Sequence, residues 1–152
     1  MTLPLHYFAY GSNMNPDRFR ERMGQYKSIQ KATLNGVRLV FNKCAWGKSG
    51  IGYANIIADP YSVVEGVLFG LMDDTHILEM DRFEGHPKHY KREIRAIYNE
   101  NNESVNSWVY MASPEKVRDG LVPEKSYLDQ LLSGKEFLSP EYIKKIINTA
   151  RG

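Results

Sequence analysis

Runs of β-prone residues separated by short turns fill the middle of the chain, and this pattern most constrains the fold. Asn35-Gly36 lies between two of these runs and favours the type I′ turn of a hairpin. Residues 99–103 separate two later runs and predict a second hairpin. Because hairpins join antiparallel neighbours, the sheet should be largely antiparallel. The predicted strands are residues 5–10, 29–34, 37–42, 53–58, 62–71, 90–98 and 104–111.

Helical segments flank these strands. Asn15 is a good N-cap and Pro16 suits the first helical position, so a short helix is predicted over Pro16–Met23. Gly85 would end a second helix, at residues 73–84. Further helices are predicted at residues 126–132 and from a Ser139 cap to about Ala150. The chain should therefore have an α+β fold, with a small, mostly antiparallel β-barrel or curled sheet of six to seven strands and a few flanking helices.

The composition predicts one domain spanning residues 1–152, which can bury a core because 42% of its residues are hydrophobic. A net charge of +2 is too mild to indicate nucleic acid or an anionic membrane as a partner. The single cysteine, Cys44, permits no disulfide within the chain and fits a reducing compartment. The first residues lack the basic and apolar segments of a signal peptide, so a cytoplasmic protein is expected.

A tight polar loop, Tyr10-Gly11-Ser12-Asn13, follows the first predicted strand. Gly11 lets a ligand approach the main chain closely. The helix predicted after the loop would bring its positive dipole end near, and such N–H groups can bind a carboxylate or phosphate. Glycine, serine and asparagine are also ordinary turn residues, so the tetrapeptide alone favours a plain strand-to-helix turn.

Glu84 is predicted in the last turn of its helix, where the negative dipole end disfavours a carboxylate. Asp81 lies three residues earlier and would add like-charge repulsion. Burial would raise the pKa of Glu84 further, and a carboxyl that titrates near neutrality is a better general acid or base. The alternative is an exposed and mildly unfavourable glutamate.

Together these motifs resemble the γ-glutamylcyclotransferase-like superfamily, which includes AIG2-like proteins and γ-glutamylamine cyclotransferase relatives. The family's Tyr-Gly-Ser-Asn loop matches residues 10–13, and its catalytic glutamate followed by glycine matches Glu84-Gly85. The resemblance continues through Tyr90, Tyr110 and Tyr127 and covers residues 7 to about 146.

The resemblance implies an enzyme, a γ-glutamylcyclotransferase-type acyltransferase or lyase that needs no cofactor and no metal. In its reaction, the α-amine of a γ-glutamyl group attacks the γ-carbonyl, which releases 5-oxoproline and an amine or amino acid. Glu84 would be the general acid/base. The partner would be a small γ-glutamyl molecule, and exposed aromatic residues would support a homodimer. The implied substrate-binding residues are Tyr7, Phe8, Ala9, Tyr10, Gly11, Ser12, Asn13, Tyr90, Tyr110 and Tyr127.

Three other interpretations remain open at this point. Ser12 or Cys44 could be a nucleophile, although no Gly-x-Ser-x-Gly elbow surrounds Ser12. Glu84 could bind a metal with His86 and His89. The chain could also be a binding module for a carboxylated metabolite without turnover. The leaving amine is undefined, and Phe83, the two histidines and the loop around Trp46 are candidates for contacting it.

Overall fold

The computed structural model describes residues 2–152, in which five strands and four α-helices occur. Three short 3-10 turns, Ser12–Met14, Pro114–Lys116 and Lys135–Phe137, connect them. In chain order the regular elements are β1 (His6–Ala9), α1 (Pro16–Met23), β2 (Ser28–Cys44), β3 (Gly52–Gly70), α2 (Ile77–Glu84), β4 (Tyr90–Asn99), β5 (Ser104–Ala112), α3 (Lys125–Leu132) and α4 (Pro140–Ala150).

The five strands close into a barrel in the order β1-β3-β2-β4-β5. Four of the pairings are antiparallel, and β5 closes the barrel by pairing parallel with β1 at Tyr7 and Trp108. The predicted α+β class with a mostly antiparallel barrel is therefore confirmed. The predicted number of six to seven strands is too high.

The count is too high because two predicted turns lie inside long strands. Asn35-Gly36 is a register irregularity within β2, and Gly36 takes a φ of +79° there. Both halves of β2 pair with the same partner, β3, so the strand continues and buries Leu34 and Val37 on either side of the irregularity. The hairpin predicted at this site is therefore wrong, and the turn joining β2 to β3 lies at residues 45–51.

The second turn predicted within a strand is at Asp59-Pro60, and β3 runs through it. The Asp59 side chain accepts hydrogen bonds from the Tyr61 N–H at 3.1 Å and from the Ser62 hydroxyl at 2.7 Å. These local bonds accommodate the proline at an exposed point of the strand. The hairpin predicted between β4 and β5 is confirmed.

The helices follow the predicted signals closely, with one exception. Asn15 caps α1 by accepting from the Asp17 N–H at 2.8 Å, and Ser139 caps α4 by accepting from the Tyr142 N–H at 3.2 Å. The helix predicted from residue 73 begins only at Ile77. Asp73 instead accepts two hydrogen bonds from Thr75 and forms a separate turn.

The core joins the first helix to the barrel and thereby positions the loop between them. Phe19 of α1 stacks on Phe69 of β3 with ring centroids 4.3 Å apart, and both side chains are fully buried. Tyr7 of β1 stacks on the same two rings. The loop that joins β1 to α1 is thus held at both ends by buried aromatic residues.

Two further expectations concerned the location of the protein and its assembly. Within residues 2–152, no helix combines the length and the apolar character needed to cross a membrane. Trp46 and Tyr61 are 86% and 96% exposed. The homodimer and the cytoplasmic location stay predictions.

Candidate active site

A cavity of about 700 Å³ opens between the β1–α1 loop, α1, the end of α2 and α3. Ten of the eleven predicted site residues line it. Ala9 does not: its side chain is 1% exposed in the core, and the residue pairs with Val67 of β3. The ten lining residues are Tyr7, Phe8, Tyr10, Gly11, Ser12, Asn13, Glu84, Tyr90, Tyr110 and Tyr127.

Glu84 is the last residue of α2, and Gly85 ends the helix in the left-handed conformation with a φ of 63°. The Glu84 carboxyl faces the cavity and accepts a hydrogen bond from the Asn13 side-chain amide at 2.9 Å. Burial raises the pKa of Glu84 to about 7, although Arg22, Arg18, the Asn13 hydrogen bond and Lys43 each oppose the rise. A carboxyl with this pKa can both accept and return a proton near neutral pH.

Asp81 does not cause this rise, contrary to the expectation from the sequence. Its carboxylate turns towards Arg92, whose Nε lies 2.9 Å from Oδ1. The Tyr110 hydroxyl donates to the same oxygen at 2.7 Å. Burial is thus the main cause of the raised pKa of Glu84, and Asp81 has a structural role in holding α2 against β4 and β5.

The contribution of Asp81 to stability can be tested with Asp81→Ala. This change leaves the Arg92 guanidinium without its counterion, packed 4.3 Å from the centroid of the Trp108 ring. We expect the free energy of unfolding to fall by about 3 kcal/mol in urea titrations. The control is Glu93→Ala, which removes an exposed ion pair with Arg95 and should cost less than about 1 kcal/mol. Equal losses in the two variants would contradict the role of Asp81.

Asn13 connects the loop to Glu84. It is 4% exposed, and its amide nitrogen also lies 3.0 Å from the Tyr7 hydroxyl. Its amide oxygen accepts from the Arg22 guanidinium at 3.3 Å. The position of the Glu84 carboxyl is therefore set by the loop after β1 as well as by its own helix.

The tyrosines form a rigid wall because backbone groups bind their hydroxyls. Tyr10 donates to the Tyr110 carbonyl at 2.5 Å, and Tyr90 donates to the Ala54 carbonyl at 2.8 Å. Tyr127 accepts from the Ala54 N–H at 3.1 Å, so its own proton is free to donate. Burial is the first cause that raises the pKa of these phenols above their usual range, so they are neutral at physiological pH.

Gly11 is at the bend of the loop, against β3 and α3. A Cβ at this position would lie 3.3 Å from the Ala54 Cβ and 3.5 Å from the Tyr127 hydroxyl oxygen. Within residues 2–152, the backbone N–H groups of Gly11 and Ser12 donate no turn or loop hydrogen bond to a backbone carbonyl. Both residues line the cavity, so their N–H groups can serve an anionic ligand.

Sequence reasoning missed the cationic residues of the cavity, of which Arg18, Arg22 and Lys43 are at least partly buried and Lys48 and Arg82 are exposed. Arg18 and Arg22 are four residues apart in the helix that follows the loop, and this spacing puts them on one face. Lys43 is at an inward-facing position of β2, two residues after the buried Phe41. The detectable signal was a lysine in the alternating apolar pattern of a strand.

The structure does not assemble the alternative sites. Ser12 lines the cavity, but within the described residues no histidine is bonded to its hydroxyl, and Cys44 does not line the cavity. His89 lines the cavity and His86 does not. In residues 2–152 no three histidine, cysteine or acidic side chains are grouped closely enough to bind a metal.

Comparison with known proteins identifies the family. A family model described as γ-glutamyl cyclotransferase, AIG2-like, matches residues 7–129. The match covers most of the chain, so the chain belongs to this family, and the resemblance inferred from its motifs is confirmed. No curated protein sequence matches the chain.

Solved structures share the fold at low sequence identity. A γ-glutamyl cyclotransferase matches with a TM-score of 0.81 and 23% identity, over 94% of this chain and 86% of that chain. YkqA from Bacillus subtilis matches with a TM-score of 0.83 and 21% identity, over 98% of this chain and 55% of that chain. A glutathione-specific γ-glutamyl cyclotransferase from yeast matches with a TM-score of 0.70 and 12% identity, over 98% of this chain and 96% of that chain.

Proposed function

We propose that this protein cyclises a γ-glutamyl group to 5-oxoproline, with Glu84 as the general acid/base. The observation that carries the proposal is the Glu84 carboxyl, which faces a cavity of about 700 Å³ and is fixed by Asn13. Burial raises its pKa to about 7. The family assignment over residues 7–129 supports the same reaction class.

The reaction fits a site with one titrating carboxyl. The Glu84 carboxylate accepts a proton from the α-ammonium, and the freed amine nitrogen bonds to the γ-carbonyl carbon. Glu84 then passes this proton to the leaving nitrogen, and the bond from that nitrogen to the carbon breaks. The ring nitrogen still carries one proton more than 5-oxoproline, and Glu84 transfers that second proton to the released amine. The nucleophile and the electrophile belong to one molecule, so the protein needs to impose the folded-back geometry and carry protons from the α-nitrogen to the leaving nitrogen.

The predicted binding residues would have distinct parts in this reaction. The N–H groups of Gly11 and Ser12, which have no turn or loop acceptor within residues 2–152, suit the α-carboxylate of the γ-glutamyl group. Asn13 would hold Glu84 at the reacting atoms. The walls would enclose the five-membered ring as it forms, through Tyr7, Phe8, Tyr10, Tyr90, Tyr110 and Tyr127.

The proposal is tested by measuring 5-oxoproline release from a panel of γ-glutamyl amino acids, γ-glutamylamines and glutathione. Turnover of any member by purified protein, dependent on Glu84, supports the reaction class. Saturable binding of a panel member without product contradicts it and favours a binding module for a carboxylated metabolite. The panel also identifies the class of leaving amine.

The pH dependence of kcat/KM provides a second test. Since the reaction needs the Glu84 carboxylate, kcat/KM should fall about tenfold per pH unit below a pKa near 7. Asn13→Ala removes a hydrogen bond that lowers this pKa, so the acid limb should move to higher pH. A wild-type limb at the ordinary pKa of a glutamate would contradict the assignment.

A further inference from the structure

The cavity carries more positive than negative charge. Five cationic side chains line it: Arg18, Arg22, Lys43, Lys48 and Arg82. The two lining carboxyls are those of Glu84 and Glu124, and Glu124 already pairs with Lys48 at 2.5 Å. Four cations therefore remain for one carboxyl, and among residues 2–152 none of the four forms a salt bridge.

Arg18 and Arg22 are the centre of this excess. They are partly buried on one face of α1, and the Nε of Arg18 is buried without a hydrogen-bond partner in residues 2–152. Arg22 is held in place by the Asn13 amide oxygen and by the Phe83 ring, whose centroid is 5.0 Å away. Burial and the charge of Arg22 lower the pKa of Arg18, although Glu84 and Glu21 act in the opposite direction. A carboxylate between these two groups would relieve both effects.

Lys43 adds a positive charge from β2 to the cavity lining. Its residue is 4% exposed, and its ammonium donates to the Cys44 carbonyl at 2.8 Å. The other partners are the rings of Tyr53 and Tyr90, at 5.9 and 5.5 Å from the nitrogen. A buried ammonium without a carboxylate partner is costly, so an anion that enters the cavity gains from it.

The γ-glutamyl group does not balance this charge. It has one carboxylate and one amine, and the loop N–H groups of Gly11 and Ser12 are available for that carboxylate. We infer that Arg18 and Arg22 select γ-glutamyl substrates whose leaving amine carries a carboxylate, as in a γ-glutamyl amino acid, and disfavour neutral and cationic leaving amines. This inference rests on the proposed function, of which it specifies the substrate class.

The test compares substrates that differ in a single group. γ-Glutamyl-alanine and γ-glutamyl-ethylamine differ by the carboxylate of the leaving amine, and γ-glutamyl-ethylenediamine carries an ammonium instead. A hydrogen bond to a charged group corresponds to about 10- to 100-fold in affinity, so kcat/KM should fall at least about tenfold from the first to the second. The third should be the poorest. Equal values for the first two would overturn the inference.

The Arg18→Gln variant tests whether Arg18 causes the preference for γ-glutamyl-alanine over γ-glutamyl-ethylamine. This variant should reduce the alanine-to-ethylamine ratio to below about threefold, whereas a merely structural defect would lower both values alike and keep the ratio. The matched control is Arg20→Gln on the same helix, because Arg20 pairs with Asp17 and does not line the cavity. The control should retain the wild-type ratio, and an unchanged ratio in Arg18→Gln would overturn the assignment.

Binding measurements separate this inference from the proposed function. Calorimetric titration of Glu84→Gln with γ-glutamyl-alanine and γ-glutamyl-ethylamine measures selection without turnover. Binding of the alanine compound at least about tenfold more tightly supports the inference even if the wild-type protein forms no 5-oxoproline. Equal affinities, or no binding of either compound, overturn the inference even if 5-oxoproline is formed.

Discussion

In the Glu84→Gln variant, kcat for 5-oxoproline release should fall about 10³-fold, within the usual range for general acid–base catalysis. The amide keeps the length of the side chain and an oxygen that can accept from Asn13. It cannot take a proton from the α-ammonium. The measurement is the initial rate at saturating γ-glutamyl substrate, and a variant within tenfold of the wild-type kcat would contradict the role of Glu84.

The control for this prediction is Glu79→Gln, an exposed change on the same helix that should leave kcat unaltered. Thermal unfolding gives a second control. Burial raises the pKa of Glu84 from 4.5 to about 7, so its contribution to stability declines as the pH rises through this interval. At pH 8 the buried carboxylate is destabilising, and Glu84→Gln should therefore melt no lower than wild type. A lower melting temperature would attribute the loss of activity to unfolding.

The Gly66→Ala variant should lose at least about 3 kcal/mol of unfolding free energy, measured in urea. A Cβ at Gly66 would lie 2.3 Å from the Ala9 carbonyl oxygen and 2.8 Å from the Phe8 ring. Both contacts belong to β1, which pairs with β3 beside this position. Because the first contact is a backbone atom, relief requires β1 to move, and the loop that follows β1 would move with it.

The control is Gly36→Ala, which separates the steric overlap expected at Gly66 from ordinary backbone strain. Gly36 has a φ of +79°, and a Cβ there would meet nothing within 4 Å. Its cost should be the strain of a left-handed residue, about 1–2 kcal/mol. A loss in Gly66→Ala no larger than that in Gly36→Ala would contradict the close approach of β1 to β3.

The sequence predicted the fold class and most elements because caps, turns and alternation act locally. Asn15 and Ser139 cap their helices, and Gly85 ends α2. Local signals failed at Asn35-Gly36 and Asp59-Pro60, where long antiparallel pairing between β2 and β3 overrides the turn preference. A turn signal within a strand cannot be distinguished from a hairpin without knowing which strand lies opposite.

The residues of the candidate site were also predicted only in part. The loop motif and Glu84 were found because they form short, recognisable patterns, and ten predicted residues line one cavity. Arg18, Arg22 and Lys43 were missed because a charged residue in a helix or strand is usually solvated. Whether these residues belong to the site depends on whether they face the cavity, and tertiary packing decides that. The ion pair between Asp81 and Arg92 also depends on tertiary packing.

The hydrogen bonds that build the site join distant parts of the chain. Asn13 and Glu84 are 71 positions apart, Ala54 and Tyr127 are 73 apart, and Tyr10 and Tyr110 are 100 apart. During synthesis, the Tyr-Gly-Ser-Asn loop therefore emerges long before its partners. A nascent chain that ends before α3 lacks one wall of the pocket, so it holds Glu84 without a complete site. The candidate site is therefore completed only late in translation.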